Sequence, residues 1–345
     1  MANPVLVEVL RGSLVESRHR GAVAVMDADG RTVLSAGDSA ARVFPRSAIK
    51  VMQAIPLITS GAADALGFGN KELALACSSH GGEPRHVERA AAMLARAGLD
   101  VAALECGAHA PSTDRAAREL LLSGAKPSPL HNNCSGKHAA MLAVARHLGE
   151  PTRGYVRPDH SVQLRIAKVI EGLTGAKPGP DVCGIDGCSV PTWALPLDAW
   201  AWAFARLAGT ASGTAEMTAG RRLMAACMAE PAFVAGEKRF CTEVMAALPG
   251  RVFVKTGAEG VFVAAVPGTG LGIALKIDDG ATRASEAALA GILAGLLRTA
   301  GELDFARWSA KPVRNVVGIT AGTVRLENGF AEACSKLPDA GSSKH

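Results

Sequence analysis

The chain has 345 residues, 48% of them apolar and 20% charged, with eight cysteines and a formal net charge of +5. That length suits one large domain or two modest ones with a substantial core, and no apolar run approaches membrane-spanning length. The surplus arginines are scattered singly over predicted helices, without a basic block or a basic–aromatic stripe, so nucleic acid has little support as a partner.

The amino terminus, Met1-Ala2-Asn3-Pro4 before a strand-like run with Glu8 and Arg11, lacks the charged start and apolar core of a secretion signal. The reading is cytoplasmic, a compartment in which cysteines are expected as thiols. Residues 4–37 read as an antiparallel meander. Leu6 to Leu10 alternates, Gly21 to Met26 is a strand of β-branched and small residues, and Asp29-Gly30 turns into Arg31 to Ser35. A helix is predicted from Pro45, near its first position, to about Ser60-Gly61, with a kink at Pro56.

From there to about residue 249 the chain reads as helical: Pro84 to Ala97, Asp114 to Ser123, Ser135 to Leu148, Ser161 to Leu173, Trp193 to Leu207, Ala215 to Met228 and Glu237 to Leu248. Glycines just beyond several of these act as stops. Strands return at Arg251 to Lys255, Gly260 to Ala265 and Gly270 to Ile277. An apolar helix, Ala284 to Leu297, precedes strands at Val313 to Ile319 and Gly322 to Leu326. The fold class is therefore α/β (α+β), a single domain over 1–345. Its sheet part spans 1–45 and 250–336, its helical part 46–249, and 337–345 is predicted to be a flexible tail. Gly268-x-Gly270-x-Gly272 falls inside a strand pair and reads as packing, not as a dinucleotide loop.

Five stretches carry chemistry. Ser47 and Lys50 lie three apart on one face of the helix start, where a desolvated lysine amine can take a serine proton. A second Ser-x-x-Lys, Ser123 to Lys126, falls in a Gly/Pro-punctuated loop. Cys77-Ser78-Ser79-His80-Gly81-Gly82 places hydroxyls and an imidazole on a glycine-rich segment, or merely N-caps a helix. His131-Asn132-Asn133-Cys134-Ser135-Gly136-Lys137-His138 is a dense polar set at a helix start, in which Cys134 and His138 have a spacing suited to two metal ligands. Cys183-Gly-Ile-Asp186-Gly187-Cys188 adds two thiols and a carboxylate. A zinc site closed by Cys134 with this thiol pair is one reading, although the spacing is not that of a zinc finger. Lys255-Thr256-Gly257 ends a strand, in the order that penicillin-recognising enzymes use.

Taken together, and in this order, these motifs resemble the rhizobial-type L-asparaginase II family across nearly the whole chain, with no departure at the motif positions. The resemblance implies a serine β-lactamase/DD-peptidase-like fold, with an antiparallel sheet from both chain ends around a helical middle. It implies hydrolysis of L-asparagine to L-aspartate and ammonia, catalysed by two Ser–Lys pairs, Ser47 with Lys50 and Ser79 with Lys255. It further implies a zinc ion, not strictly catalytic, on Cys134, Lys137 and Cys188, with Asp186 near the metal's water. Arg46, His80, His138, Asp186 and Glu259 are the expected substrate-side residues, Cys241 lies at a position the family keeps near the site, and a homodimer is expected. The alternatives are a glutaminase, a β-lactamase-like serine hydrolase, and a non-enzymatic zinc-dependent amino-acid-binding protein. The roles of Cys183 and Cys241 stay open.

Overall fold

Two kinds of segment, strands with consecutive apolar residues and helices with polar centres, divide the chain. The computed structural model describes residues 2–211, 213–298 and 303–340. The chain separates into two compact units, one built from 1–48, 195–210 and 254–345, the other from 49–194 and 211–253.

The first unit is organised on a mixed architecture of one sheet and its covering helices. Its strands are β1 (Val5–Arg11), β2 (Leu14–Asp27), β3 (Thr32–Ala36), β4 (Phe253–Thr256), β5 (Val261–Val266), β6 (Leu271–Ile277), β7 (Pro312–Arg314) and β8 (Thr320–Leu326). They form one sheet in the order β7-β8-β1-β2-β6-β5-β4, with β3 also paired to β2. The ladders from β7 through to β5, and that of β2 with β3, are antiparallel. β2 is long because its halves have different partners: Leu14 to Arg20 pairs with β1, and Gly21 to Asp27 pairs with β6. The sequence pattern revealed only the second half, whose residues are apolar; the first carries Glu16, Arg18 and Arg20.

β5 is buried along its whole length, so both faces of the sheet are covered there. Helix Leu197–Ala208 packs on β2, β5 and β6, and helix Thr282–Leu296 on β1, β5, β6 and β8. The first of these comes very close at Gly272, where a Cβ would lie 2.1 Å from the Ala205 nitrogen and 2.2 Å from the Ala201 oxygen. Gly272 thus serves packing, as its place within a strand pair predicts.

Several expectations differ from what is found in this unit. The helix expected from Trp193 begins at Leu197, because Pro191–Trp193 and Leu195–Pro196 are short strands and Pro196 occupies the N-cap. That helix belongs with the sheet, not with the helical part, since its apolar stripe of Trp200, Ala201, Phe204, Ala205 and Ala208 is buried there. The strand expected over Val313 to Ile319 stops at Arg314, and Asn315 closes a turn by donating its N–H to the Ile319 carbonyl at 2.9 Å. A helix not expected, Asn328–Ser335, follows β8, capped by the Glu327 carboxylate. The predicted tail starts later than Leu337, which is buried, and the Ala340 N–H still bonds the Leu296 carbonyl at 2.7 Å. Residues 341–345 of that tail lie outside the described residues.

The second unit is helical, with one short antiparallel ladder of Cys183–Ile185 on Pro191–Trp193. The helix predicted from Pro45 starts later, as a 3-10 turn at Arg46–Ile49 followed by an α-helix, Lys50–Thr59, that continues through Pro56. Every residue from Lys50 to Leu57 is buried, against helices Ser135–His147, Ser161–Thr174 and Ala215–Ala229. Helices Pro84–Arg96, Asp114–Leu122, Ser135–His147 and Ser161–Thr174 end within a residue or two of the glycines that predicted their stops. Asn70–Ala76 is helical ahead of the Cys77 stretch, and the helix expected from Glu237 runs over Phe240–Ala247, with a separate short helix at Pro231–Ala235. Among the described residues no helix is long and apolar enough to cross a membrane.

Candidate active site

In the helical unit the site is built around Lys50. The side chain is 1% exposed, at the first residue of its helix, with Nζ 3.0 Å from Ser79 Oγ, 3.0 Å from Cys134 Sγ, and bonded to the Ser78 carbonyl. A lysine nitrogen so placed has one sulfur and two oxygen partners that folding supplies in place of water. The sequence assigned Lys50 to Ser47; the structure shows it bonded to Ser79. Ser79 itself is pinned through its N–H, which donates to the Val234 carbonyl at 2.8 Å.

Cys134 occupies the N-cap of helix Ser135–His147, with its N–H held at 2.9 Å by Asn132 Oδ1. Asn132 is fixed in turn by donating Nδ2 to the carbonyls of Cys106 and Gly107. Cys188 enters from the tight turn of the short ladder. There Ser189 takes a left-handed φ of 76° and donates to the Asp186 carbonyl, and Asp186 N–H bonds the Val190 carbonyl. The two sulfurs share a hydrogen bond, which with the nearby Lys50 and Lys137 ammonium groups holds the Cys134 thiol far below its usual range. The same hydrogen bond holds the second proton on Cys188. One proton is thus shared by the pair, and the first thiolate is the form that two cations favour. Lys137 Nζ lies 3.0 Å from Cys188 Sγ; burial opposes its charge, but the facing sulfurs and Asp186 outweigh that and hold its pKa above the usual lysine value. Among the described residues no cluster of three or more His, Cys, Asp or Glu side chains has the geometry of a metal site. The metal set named by the sequence, Cys134, Lys137 and Cys188, is nevertheless brought together.

His80 and His138 are fully buried. His80 Nδ1 accepts the Gly82 N–H, so Nε2 carries the proton and donates it to Ser135 Oγ at 2.9 Å. Burial first, then the His86 ring stacked 4.8 Å away and Lys50, pushes its pKa well down, and it stays neutral. His138 is likewise depressed by burial, then by Lys137 and Lys50. Its Nδ1 lies 2.7 Å from the Tyr155 hydroxyl, which also accepts the Glu105 N–H, while its Nε2 has no hydrogen-bond partner. Tyr155, the sole tyrosine of the chain, was missed by the sequence reading, as were Asn132 and Ser135 in their supporting roles. A single buried tyrosine near a histidine-bearing motif is a signal only in hindsight, because no spacing links residue 155 to residue 138.

The sheet unit holds the remaining residues. Arg46 takes a left-handed φ of 51°, unusual for a residue with a Cβ, and sets the 3-10 turn that presents Ser47. Such a conformation costs about 1–3 kcal/mol and is found where surrounding structure enforces it. Lys255 is buried at the end of β4 with Nζ on the Thr256 carbonyl at 2.8 Å. Gly257 brings that strand against the Ser47 turn: a Cβ there would lie 2.7 Å from the Pro45 oxygen and 3.3 Å from the Ala48 methyl. Glu259 is exposed at a left-handed φ of 58°. Asp186 and Cys183 are partly exposed in the helical unit, and Cys241 is buried there. No disulfide joins any of the eight cysteines.

Residues 7–326 match the sequence profile of the family described as L-asparaginase II. No curated protein matches the chain significantly. Among solved structures, that of Mglu in its native form in the presence of 4.3 M NaCl has 14% identity and a TM-score of 0.41, over 75% of this chain and 56% of that one. A second Mglu structure has 16% identity and a TM-score of 0.33, over 77% and 64%. The chain thus spans less than two thirds of the length of either.

Proposed function

Because the chain belongs to the L-asparaginase II family, we propose that it is an amidohydrolase converting L-asparagine to L-aspartate and ammonia by acyl transfer through serine. The observation that carries this reading is the buried Lys50 amine, 3.0 Å from Ser79 Oγ and at the head of the helix that follows Ser47. Ser47 Oγ attacks the side-chain amide carbon as its proton passes to Lys50 in the amine form. The C–N bond then breaks, the proton goes to the leaving nitrogen, and ammonia departs from an aspartyl ester. Water positioned by Ser79, with Lys255 as its partner in the second pair, adds to the ester and releases aspartate and the Ser47 hydroxyl.

The N–H of Ser79 is taken by the Val234 carbonyl and that of Ala48 by the Pro45 carbonyl, so neither is assigned as an oxyanion donor; the Ser47 N–H is the one assigned from this turn. Arg46 is assigned to the substrate carboxylate and Asp186 to its ammonium group, with His80, His138 and Glu259 around them. The finer reading of the fold, serine β-lactamase-like, is supported by an antiparallel sheet drawn from both chain ends, Ser-x-x-Lys at a helix start and Lys-Thr-Gly at a strand end.

Zinc fits the residues present. Cys134 and Cys188 meet sulfur to sulfur, already favour a thiolate, and have Lys137 Nζ 3.0 Å from one of them. Cys134, Lys137 and Cys188 would hold the ion, which would supply a Lewis-acidic anchor for substrate beside Ser79. Lys137 must lose its proton to bind, so proton and metal compete. Ammonia release by the purified protein, with asparagine and glutamine compared, tests the function. Glutamine, one methylene longer, is expected to be discriminated by about 1–3 kcal/mol. Binding of asparagine without ammonia release would make the protein a binding module instead.

A further inference from the structure

We propose that Glu83 is a positioning residue for Ser79, acting through the segment Pro231–Glu237; its catalytic consequence rests on the amidohydrolase reading above. The Ser79 N–H donates to the Val234 carbonyl at 2.8 Å, so that segment holds Ser79 from one side, while the flanking Ser78 and His80 N–H groups bond the Leu75 and Asn133 carbonyls. The segment cannot hold its own shape. Its helix, Pro231–Ala235, is about one turn long, far below the length that is stable alone, and it ends at Gly236 with φ 101°.

Thr242 Oγ1 bonds the Pro231 and Gly236 carbonyls from one side, and the first turn of helix Pro84–Arg96 holds the segment from the side that faces Ser79. Glu83 Oε1 accepts the Glu237 N–H at 3.1 Å, and His86 Nε2–H donates to the Ala232 carbonyl at 2.9 Å. The Glu83 N–H, bonded to His86 Nδ1 at 3.2 Å, fixes the tautomer that makes this possible. Arg85 Nε lies 3.1 Å from Glu83 Oε2, and the same guanidinium bonds the Glu237 carboxylate. The result is a closed ring of chain: Ser79 to Glu83 on one side, Val234 to Glu237 on the other, tied at both ends. Within it, among the described residues, Gly81 and Gly82 keep only the Ser112 N–H on the Gly81 carbonyl and the His80 ring on the Gly82 N–H as restraints of their own.

Two features mark the carboxylate as fitted to this task. Glu83 is 2% exposed, and a carboxylate so buried is costly unless its oxygens are used. A Cβ on Gly236 would fall 2.6 Å from Glu83 Oε1, so the backbone runs directly against the carboxylate where only glycine fits. The Lys50 Nζ to Ser79 Oγ distance of 3.0 Å therefore depends on a residue that touches neither atom. Small misplacements of catalytic groups are expensive in rate.

Hydrogen exchange and steady-state kinetics on the full chain test this. In Glu83→Ala the Ser79 amide should exchange at least about ten times faster, with kcat lowered about tenfold or more and KM within about twofold. Amides of helix Ser161–Thr174 should keep their wild-type rates. Glu83→Gln, which keeps an acceptor oxygen for the Glu237 N–H, should restore both Ser79 protection and kcat to within about threefold. Gly236→Ala, a wedge from the other side that leaves the carboxylate in place, should mimic Glu83→Ala. Unchanged Ser79 exchange in Glu83→Ala, or equal acceleration across all helices, overturns the proposal. Faster Ser79 exchange with unchanged kcat overturns its catalytic half while leaving the amidohydrolase reading intact. A wild-type protein that releases no ammonia defeats that reading instead, and the exchange data still decide the latch.

Discussion

The two units bury polar groups in opposite ways. In the sheet unit the buried polar side chains are Glu8, His19, Lys255 and Ser285, and two of them are met by partners on outer strands or loops: Glu8 by Arg325 at 2.9 Å, His19 by Asp279 at 2.6 Å. Its centre is Val, Ile, Leu and Ala, as β5 and β6 show. The helical unit places Lys50, Ser78, His80, Glu83, His86, Asn132, Ser135, Lys137 and His138 in its interior. Desolvating charges costs several kcal/mol per ion before their pairing is counted, so an apolar core would serve stability as well or better. Such a centre makes sense for chemistry, where perturbed protonation states are needed. One unit has an apolar centre, and the other gives its interior to polar groups that the proposed chemistry would use.

The largest effect expected contradicts a simple division of labour, because the nucleophile is assigned to the sheet unit. Ser47→Ala should lower ammonia release by at least about 10³-fold with an unchanged melting temperature, and Ser123→Ala should change neither. Full activity in Ser47→Ala would move the nucleophile to Ser79. Next, Lys50→Met replaces the central amine by an apolar chain of similar length. Activity should fall about 10²–10⁴-fold and stability should fall by about 1–3 kcal/mol, since the Ser78 carbonyl and the Cys134 sulfur lose their buried partner. A lower melting temperature with activity retained would make Lys50 a structural residue and erase the contrast between the units.

A smaller effect concerns zinc. Chelation should raise KM by about tenfold and change kcat less, and Cys134→Ser or Cys188→Ser should abolish zinc uptake. Because the facing sulfurs hold Lys137 protonated in the metal-free protein, occupancy should fall as pH is lowered. No zinc in the protein at neutral pH with excess metal would remove this part of the account.

The smallest effect separates the units by pH. Burial keeps His80, His86 and His138 neutral when folded, with pKa values below the ordinary value, whereas an unfolded histidine takes up a proton near pH 6.5. The unfolded state therefore binds more protons below that pH. Stability is full above it and declines as pH falls towards the depressed folded values, by up to about 1.4 kcal/mol per pH unit for each histidine. Hydrogen exchange at pH 7.5 and 5.5 should show protection falling in helices Pro84–Arg96 and Ser135–His147 but not in β5 and β6. Equal loss in both units would show that these three rings are not the cause.

Much of this was legible in the sequence, and for identifiable reasons. β5 and β6 announce themselves by unbroken apolar runs between glycines, and helices such as Ser161–Thr174 by a glycine stop. Cys134, Lys137 and Cys188 were named together by the family resemblance, whereas spacing alone pointed to Cys134 with His138. What sequence hid was tertiary. Pro196 moved a helix start by four residues, because a short strand pairing with Arg42 and Val43 claimed the residues before it. No helix was expected after β8, yet Glu327 caps one over Asn328–Ser335. The bond from Lys50 to Ser79 joins residues that no periodicity relates, and so do the ties from Glu83 and His86 to the Pro231–Glu237 segment.

Mass spectrometry of the acid-quenched protein during asparagine turnover tests the central claim most directly. Peptides carrying Ser47 and Ser79 separate cleanly by sequence, and the account places an aspartyl ester on the Ser47 peptide, absent from Ser47→Ala. An aspartyl group on the Ser79 peptide, or on Cys134 or Cys188, would contradict it.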